Sequence, residues 1–234
     1  MCIIAYIPEG KTLEFETLEE MCINNPHSFG LMFVDNNKIN VYKTLDMDKF
    51  INYYFNKCNY IKSNIIIHCR IATHGKINIE NCHPFKINKN LYFVHNGIID
   101  KVETNKRKSD TVMFNETILK KLPNDFLNNK AIIKLISDYI DSSKLAFMNN
   151  NGDVTLINEN MGEYNEDGIW FSNRSYIPYK SYFNSSLTNT KYDFYNSKHC
   201  SNCGNTLYDD ELYCTYCLER SYNTTTNKDY SYLY

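Results

Sequence analysis

Cys2 stands directly ahead of Ile3-Ile4-Ala5-Tyr6-Ile7, a run that reads as a short buried strand. A strand so near the start pins a terminus that would otherwise fray. The fold must therefore carry its N-terminal edge inside a sheet. A small residue such as Cys at position 2 is compatible with removal of Met1, after which Cys2 carries a free α-amine beside its thiol. Such an amine has a reference pKa of about 7.7–8.0, so at neutral pH it can accept the thiol proton. Nucleophile and general base would then belong to one residue. A plain strand with an incidental cysteine is the ordinary alternative, and the rest of the chain has to decide.

The remaining pattern describes antiparallel sheets covered by helices. Residues 17–23 read as a short helix that Asn24-Asn25-Pro26 must stop. Residues 29–34 and 38–42 are strand-like and meet at Asp35-Asn36-Asn37, a hairpin signal. Residues 48–55 look helical, with Phe50, Ile51, Tyr54 and Phe55 on one face. Ile65-Ile66-Ile67 opens a strand that runs into a polar segment, and residues 91–94 form another, ending at His95-Asn96-Gly97. Amphipathic helices are expected over 110–122 and 131–140. Strands at 145–148 and 154–157 flank Asn149-Asn150-Asn151-Gly152-Asp153, and Ile169-Trp170-Phe171 is one more. No internal repeat is visible.

A length of 234 residues suits one large domain, or a moderate one with a small appendage. The 20 Tyr and 13 Phe supply much of the core volume. A net charge of −2 provides no basic field for nucleic acid. The chain has no 18-residue apolar run and no secretion leader, so no membrane role and a cytoplasmic location are expected. Its nine cysteines are an odd number. Five are scattered and four cluster near the C-terminus, which suggests free thiols plus a metal in a reducing compartment.

The densest polar stretch is His68-Cys69-Arg70-Ile71-Ala72-Thr73-His74-Gly75, continuing to Asn81-Cys82-His83-Pro84-Phe85. It leaves a buried strand, where a scaffold presents functional groups at an edge. His68, His74 and His83 are spaced by 6 and 9, without the short intervals of zinc ligands. Arg70 offers a planar fork for a carboxylate, or else a structural ion pair. In Val94-His95-Asn96-Gly97, glycine lets backbone amides approach a ligand, and the Asn amide is a neutral donor. Together they could stabilise an oxyanion in acyl transfer, although Asn-Gly is also a common turn. Ser109-Asp110-Thr111 precedes a helix and suits an N-cap, yet a capping Asp can still accept from a substrate ammonium.

Cys2, Asn-Pro-x-x-Phe-Gly, Arg-x-Ala-Thr-His-Gly, His-Pro-Phe, His-Asn-Gly-Ile-Ile and Ser-Asp-Thr, in that order, resemble the class II glutamine amidotransferases, which are N-terminal nucleophile hydrolases. The motifs span Cys2 to Thr111, and the layout extends to about Tyr179. The 70–75 and 95–99 segments resemble the glutaminase domain of glucosamine-6-phosphate synthase, and the compact form is similar to stand-alone phage and bacterial members.

The resemblance implies Cys2 as nucleophile with its own α-amine as base, and Asn96 and the Gly97 amide as oxyanion hole. It implies Arg70, Thr73 and His74 on the glutamine α-carboxylate and Asp110 on its α-ammonium. Three departures stand out: Ile3 replaces a common Gly, Ile71 an aromatic residue, and His27-Ser28 an Asp-Gly pair.

Cys200-x2-Cys203 and Cys214-x2-Cys217 give a closed tetrahedral zinc site, a structural one that folds a segment too small for its own core. This resembles a zinc ribbon. Tyr208, Tyr213 and Tyr216 leave a nucleic-acid role open. The expected fold is therefore α+β, an αββα four-layer N-terminal nucleophile hydrolase sandwich over 1–183. A linker over 184–198, a zinc ribbon over 199–221 and a polar tail over 222–234 follow. The expected activity is hydrolysis of the L-glutamine side-chain amide through a Cys2 thioester, with ammonia passed to a separate acceptor enzyme. The rivals are an amidase for another amide or γ-glutamyl compound, and a non-enzymatic binding module using the ribbon.

Overall fold

The computed structural model describes residues 2–58, 61–73, 75–104 and 107–178. In chain order these form β1 (Ile3–Ile7), α1 (Phe15–Asn24), β2 (Ser28–Asp35), β3 (Lys38–Thr44), α2 (Met47–Lys57) and β4 (Ile65–Arg70). β5 (Phe85–Asn88), β6 (Leu91–Asn96), α3 (Asp110–Thr117), α4 (Lys130–Ile140), β7 (Lys144–Asn149) and β8 (Val154–Ile157) follow. The short strands β9 (Glu163–Tyr164) and β10 (Trp170–Phe171) close the set. One sheet has the order β3-β2-β4-β1-β10-β9 and the other β5-β6-β7-β8. Neighbouring strands in both are antiparallel.

Strand alternation builds four layers. Ile3, Ala5 and Ile7 of β1 pack with Ile65, Ile67 and Cys69 of β4 against Leu18 and Met21 of α1 and Phe50 and Tyr54 of α2. The residues between them, Ile4 and Ile66, face the second sheet and meet Val94, Ala146 and Met148 there. On the far side of that sheet, Phe93, Leu145 and Phe147 pack with Phe114 of α3 and Ile136 and Ile140 of α4. Each fully buried Ile or Phe contributes roughly 1.5–3 kcal/mol, so three such clusters fix the sandwich. The described fold is α+β with antiparallel sheets, as expected.

Side-chain caps start the helices where the sequence changes period. Asp46 accepts from Lys49 N at 3.0 Å, Ser109 from Val112 N at 3.3 Å, and Asn129 from Ala131 N at 3.0 Å. The β2–β3 turn holds Asn36 and Asn37 at φ 51° and 57°, the left-handed pair that a two-residue hairpin needs.

The sequence pattern misplaces two boundaries and misses two short strands. The helix expected over 110–122 stops at Thr117, because Ile118 (φ −121°, ψ −70°) turns the chain into a 3-10 segment over Leu119–Lys121. The apolar residues continue across the break, so their spacing alone does not reveal it. The strand expected to end before His95 runs through Asn96, paired with Lys144. The strands β5 and β9 were not expected; each has at most four residues, too short to show a period. The linker, ribbon and tail expected beyond residue 183 lie outside the described residues.

Candidate active site between the sheets

The alternation that makes the core also delivers polar groups to one end of the gap between the sheets. Ile4 faces that gap, so Cys2, two residues earlier, falls on the same side. Ile66 faces it, so His68 and Arg70 follow on β4, and Val94 brings Asn96 on β6. Ile3 pairs with Cys69, and the next step of that antiparallel register sets Cys2 level with Arg70. Cys2, Arg70, Ile71, Thr73, Gly97 and Asp110 all line one cleft.

The Cys2 thiol donates to Ile71 O at 3.3 Å. Burial pushes the thiol above its usual range, against the lowering pull of this hydrogen bond and of the Arg70 charge. A thiol held protonated in this way needs a base at the moment of attack. The Asn96 side-chain amide donates to Cys2 O. Swung away from that carbonyl, the same amide is a neutral donor for a reacting atom beside Sγ. Gly97 follows at φ 138°, a conformation that favours glycine, and a Cβ there would lie 2.2 Å from Ser143 Oγ.

The same cleft carries a cation and an anion. Arg70 is buried, and its Nη1 donates to Lys76 O at 3.2 Å. Asp110 opens α3 behind its Ser109 cap. Its Oδ2 accepts from Ile99 N and its Oδ1 from Thr111 N, each at 2.8 Å. A carboxylate has about four lone-pair sites, so it can still take an ammonium. Thr73 is exposed at the rim. His74 and the cysteines Cys200, Cys203, Cys214 and Cys217 lie outside the described residues. The cleft encloses about 20 Å³, the room of one water. A neighbouring cavity of about 420 Å³ beyond Gly97 is lined by Ile98, Lys101, Tyr139 and Lys144 and contains no cysteine.

Several contacts were not legible in the sequence. Asn173, just past β10, donates to Cys2 O at 2.7 Å. Asn81 receives Ser109 N at 2.9 Å and donates to Arg107 O at 2.8 Å, tying the 76–81 segment to the start of α3. His27 Nδ1 accepts from Ala72 N at 2.7 Å, so the departure at 27–28 braces the turn after Arg70. His95 Nδ1 meets Thr111 Oγ1 at 2.8 Å. An isolated Asn or His has too many ordinary uses for its sequence to mark these contacts; only the folded register brings them together.

One cleft thus gathers a thiol, neutral donors, a cation and an anion. Residues 30–137 match the family model described as "Glutamine amidotransferases class-II". The match contains Arg70, Asn96, Gly97 and Asp110 and begins after Cys2. Over those residues the chain is similar to the class II glutamine amidotransferases.

It is 33% identical over 112 residues to the glutamine–fructose-6-phosphate aminotransferase (isomerizing) of Helicobacter pylori strain J99, covering 46% of this chain and 19% of that protein. The enzyme of the same name from Buchnera aphidicola is 34% identical over 110 residues, covering 44% and 18%. The chain thus spans about a fifth of the length of these relatives. Two solved structures were also found to be similar. One is glutamine phosphoribosylpyrophosphate amidotransferase from B. subtilis (TM-score 0.48, 16% identity, covering 73% of this chain and 41% of that one). The other is a glutamine aminotransferase class-II domain protein from Silicibacter pomeroyi (TM-score 0.40, 16% identity, 73% and 87%).

Proposed function

We propose that this protein hydrolyses the side-chain amide of L-glutamine through a Cys2 thioester. The observation that carries the reading is the convergence of Cys2, Asn96, Gly97, Arg70 and Asp110 on one cleft, within or beside the segment that matches the family. After Met1 is removed, the α-amine of Cys2 takes the thiol proton as Sγ attacks the amide carbon. The oxyanion is held by Asn96 Nδ2–H and the Gly97 N–H. Collapse breaks the C–N bond, the ammonium returns its proton to the leaving nitrogen, and ammonia departs. Water then attacks the thioester, giving its proton to the same amine, and glutamate leaves with the thiol restored.

Arg70 and Thr73 hold the α-carboxylate, with His74, and Asp110 holds the α-ammonium. Ammonia released into water is protonated and lost, so the reaction serves a separate acceptor enzyme that docks beside the cleft. The test is assay of glutamate and ammonia from purified protein whose Met1 is absent by mass. Equimolar products that vanish in Cys2→Ala support the reading, and unchanged turnover in Cys2→Ala overturns it.

The C-terminal cysteines Cys200, Cys203, Cys214 and Cys217 are proposed to hold one structural zinc. Two CxxC pairs supply four soft thiolates in a closed set, which suits that ion. One zinc per chain by elemental analysis, lost in Cys200→Ser/Cys203→Ser, is the expected result.

A further inference from the structure

An N-terminal nucleophile has one structural weakness. Once Met1 is gone, no preceding peptide holds Cys2, and with its α-amine occupied as the base its carbonyl is the backbone group left to anchor it. In the described fold that carbonyl receives two side-chain amides. One belongs to Asn96, which the acyl-transfer chemistry also needs for the oxyanion. The other belongs to Asn173, whose Nδ2 donates to Cys2 O at 2.7 Å.

The surroundings determine which way the Asn173 amide points. Its Oδ1 accepts from Ser175 N at 3.0 Å and Ser175 Oγ at 2.8 Å, an Asx turn completed by the hydroxyl. With the oxygen so engaged, the nitrogen must face Cys2 and Asn96, whose Oδ1 lies 3.5 Å away. Ser175 is itself held from the end of α1. Asn25 Nδ2 donates to its Oγ at 3.1 Å, and Asn24 Nδ2 to its carbonyl at 3.0 Å. One residue before Asn173, Ser172 Oγ accepts from Ile4 N at 2.8 Å, so the peptides on both sides of Ile3 are tied to the same short segment.

We propose that Asn173 is a positioning residue that anchors the Cys2 carbonyl, so that Asn96 can turn its donor to the oxyanion without releasing the nucleophile. This rests on the glutaminase reading above. Asn173 lies just past β10, beyond the residues that match the family. Without it, Asn96 serves two acceptors at once, and the thioester-forming step slows while glutamine binding at Arg70 and Asp110 is left intact.

The test compares Asn173→Leu and Asn173→Asp with the wild type. Leucine keeps the volume without a donor, and aspartate keeps the Ser175 contacts but turns an acceptor toward Cys2 O. Glutamine hydrolysis is followed from pH 6 to 9, alongside thermal melting. Loss of one hydrogen bond corresponds to roughly tenfold in rate. The expected result is a kcat about 10-fold lower in both variants at every pH, with KM within about threefold. Melting temperatures do not track the loss, and Ser175→Ala, which keeps the backbone donor, shows a smaller effect.

Wild-type kcat in either variant, or a loss confined to KM, overturns the proposal. So does an aspartate variant that only shifts the pH limb and recovers its plateau, which would show a charge effect alone. A wild-type protein lacking Met1 that turns over no glutamine overturns the glutaminase reading itself, and the anchor with it.

Discussion

At the residue scale the account turns on Asn96 and Asp110. Asn96 is fully buried at the end of β6 and donates to the Cys2 carbonyl, so its removal disturbs both the resting nucleophile and the oxyanion. Asn96→Ala should lower kcat by about 10²–10³ with a smaller change in KM, as loss of an oxyanion donor does elsewhere. Steady-state kinetics checks this, and a change confined to KM would assign Asn96 to binding.

Asp110 reads the other end of the substrate. Asp110→Asn keeps the shape and loses the charge, so kcat/KM for glutamine should fall about 10- to 100-fold. Glutaramate, which lacks the α-amine, should be hydrolysed equally by the variant and the wild type. A variant that loses both substrates alike would point to disruption of the Ile99 and Thr111 contacts instead.

At the element scale, the packing of β2 against the polar segment after β4 is the tightest constraint. A Cβ on Gly30 would stand 1.9 Å from His83 O, backbone that cannot move without shifting the cleft wall. Gly30→Ala should destabilise the fold by about 3 kcal/mol or more. Gly10→Ala, where nothing lies within 4 Å, should lose only the strain of its φ of +78°. Denaturant melts of the two variants check the contrast, and equal losses would contradict it.

The sequence already displayed most of these elements. β1, the β2–β3 hairpin, α2, α4 and the β7–β8 hairpin each carry a clear period and clear turn residues. The motifs around Arg70, Asn96 and Asp110 were visible because several unusual residues stand close together. The break after Thr117, the short β5 and the anchors Asn81 and Asn173 were not. The two anchors depend on tertiary partners 26 to 171 residues away, which leave no local pattern, and β5 is too short to show a period.

At the scale of the whole molecule, three histidines lie buried where the sheets and α3 meet. His68 and His83 stack at 3.8 Å between ring centroids, and His68 Nε2 meets His95 O at 2.9 Å. Burial lowers the pKa of all three, His68 to about 3. A histidine whose pKa is lower folded than unfolded binds its proton in the unfolded chain first. Its contribution is therefore complete above the reference value of about 6.5 and shrinks as pH falls below it, by about 1.4 kcal/mol per pH unit each. The melting temperature should drop steeply from pH 7 to pH 5, and His83→Asn should flatten the slope. A melting temperature constant over that range would contradict the burial of neutral imidazoles.

The nucleophile is the claim on which the rest depends. Its most direct measurement is the intact mass of the full chain after incubation with 6-diazo-5-oxo-L-norleucine, a glutamine-shaped electrophile, followed by peptide mapping. The account predicts a protein without Met1 carrying a single adduct on Cys2, with labelling blocked by glutamine. An adduct on another cysteine, or Cys2 left unmodified in a chain that has lost Met1, would contradict it.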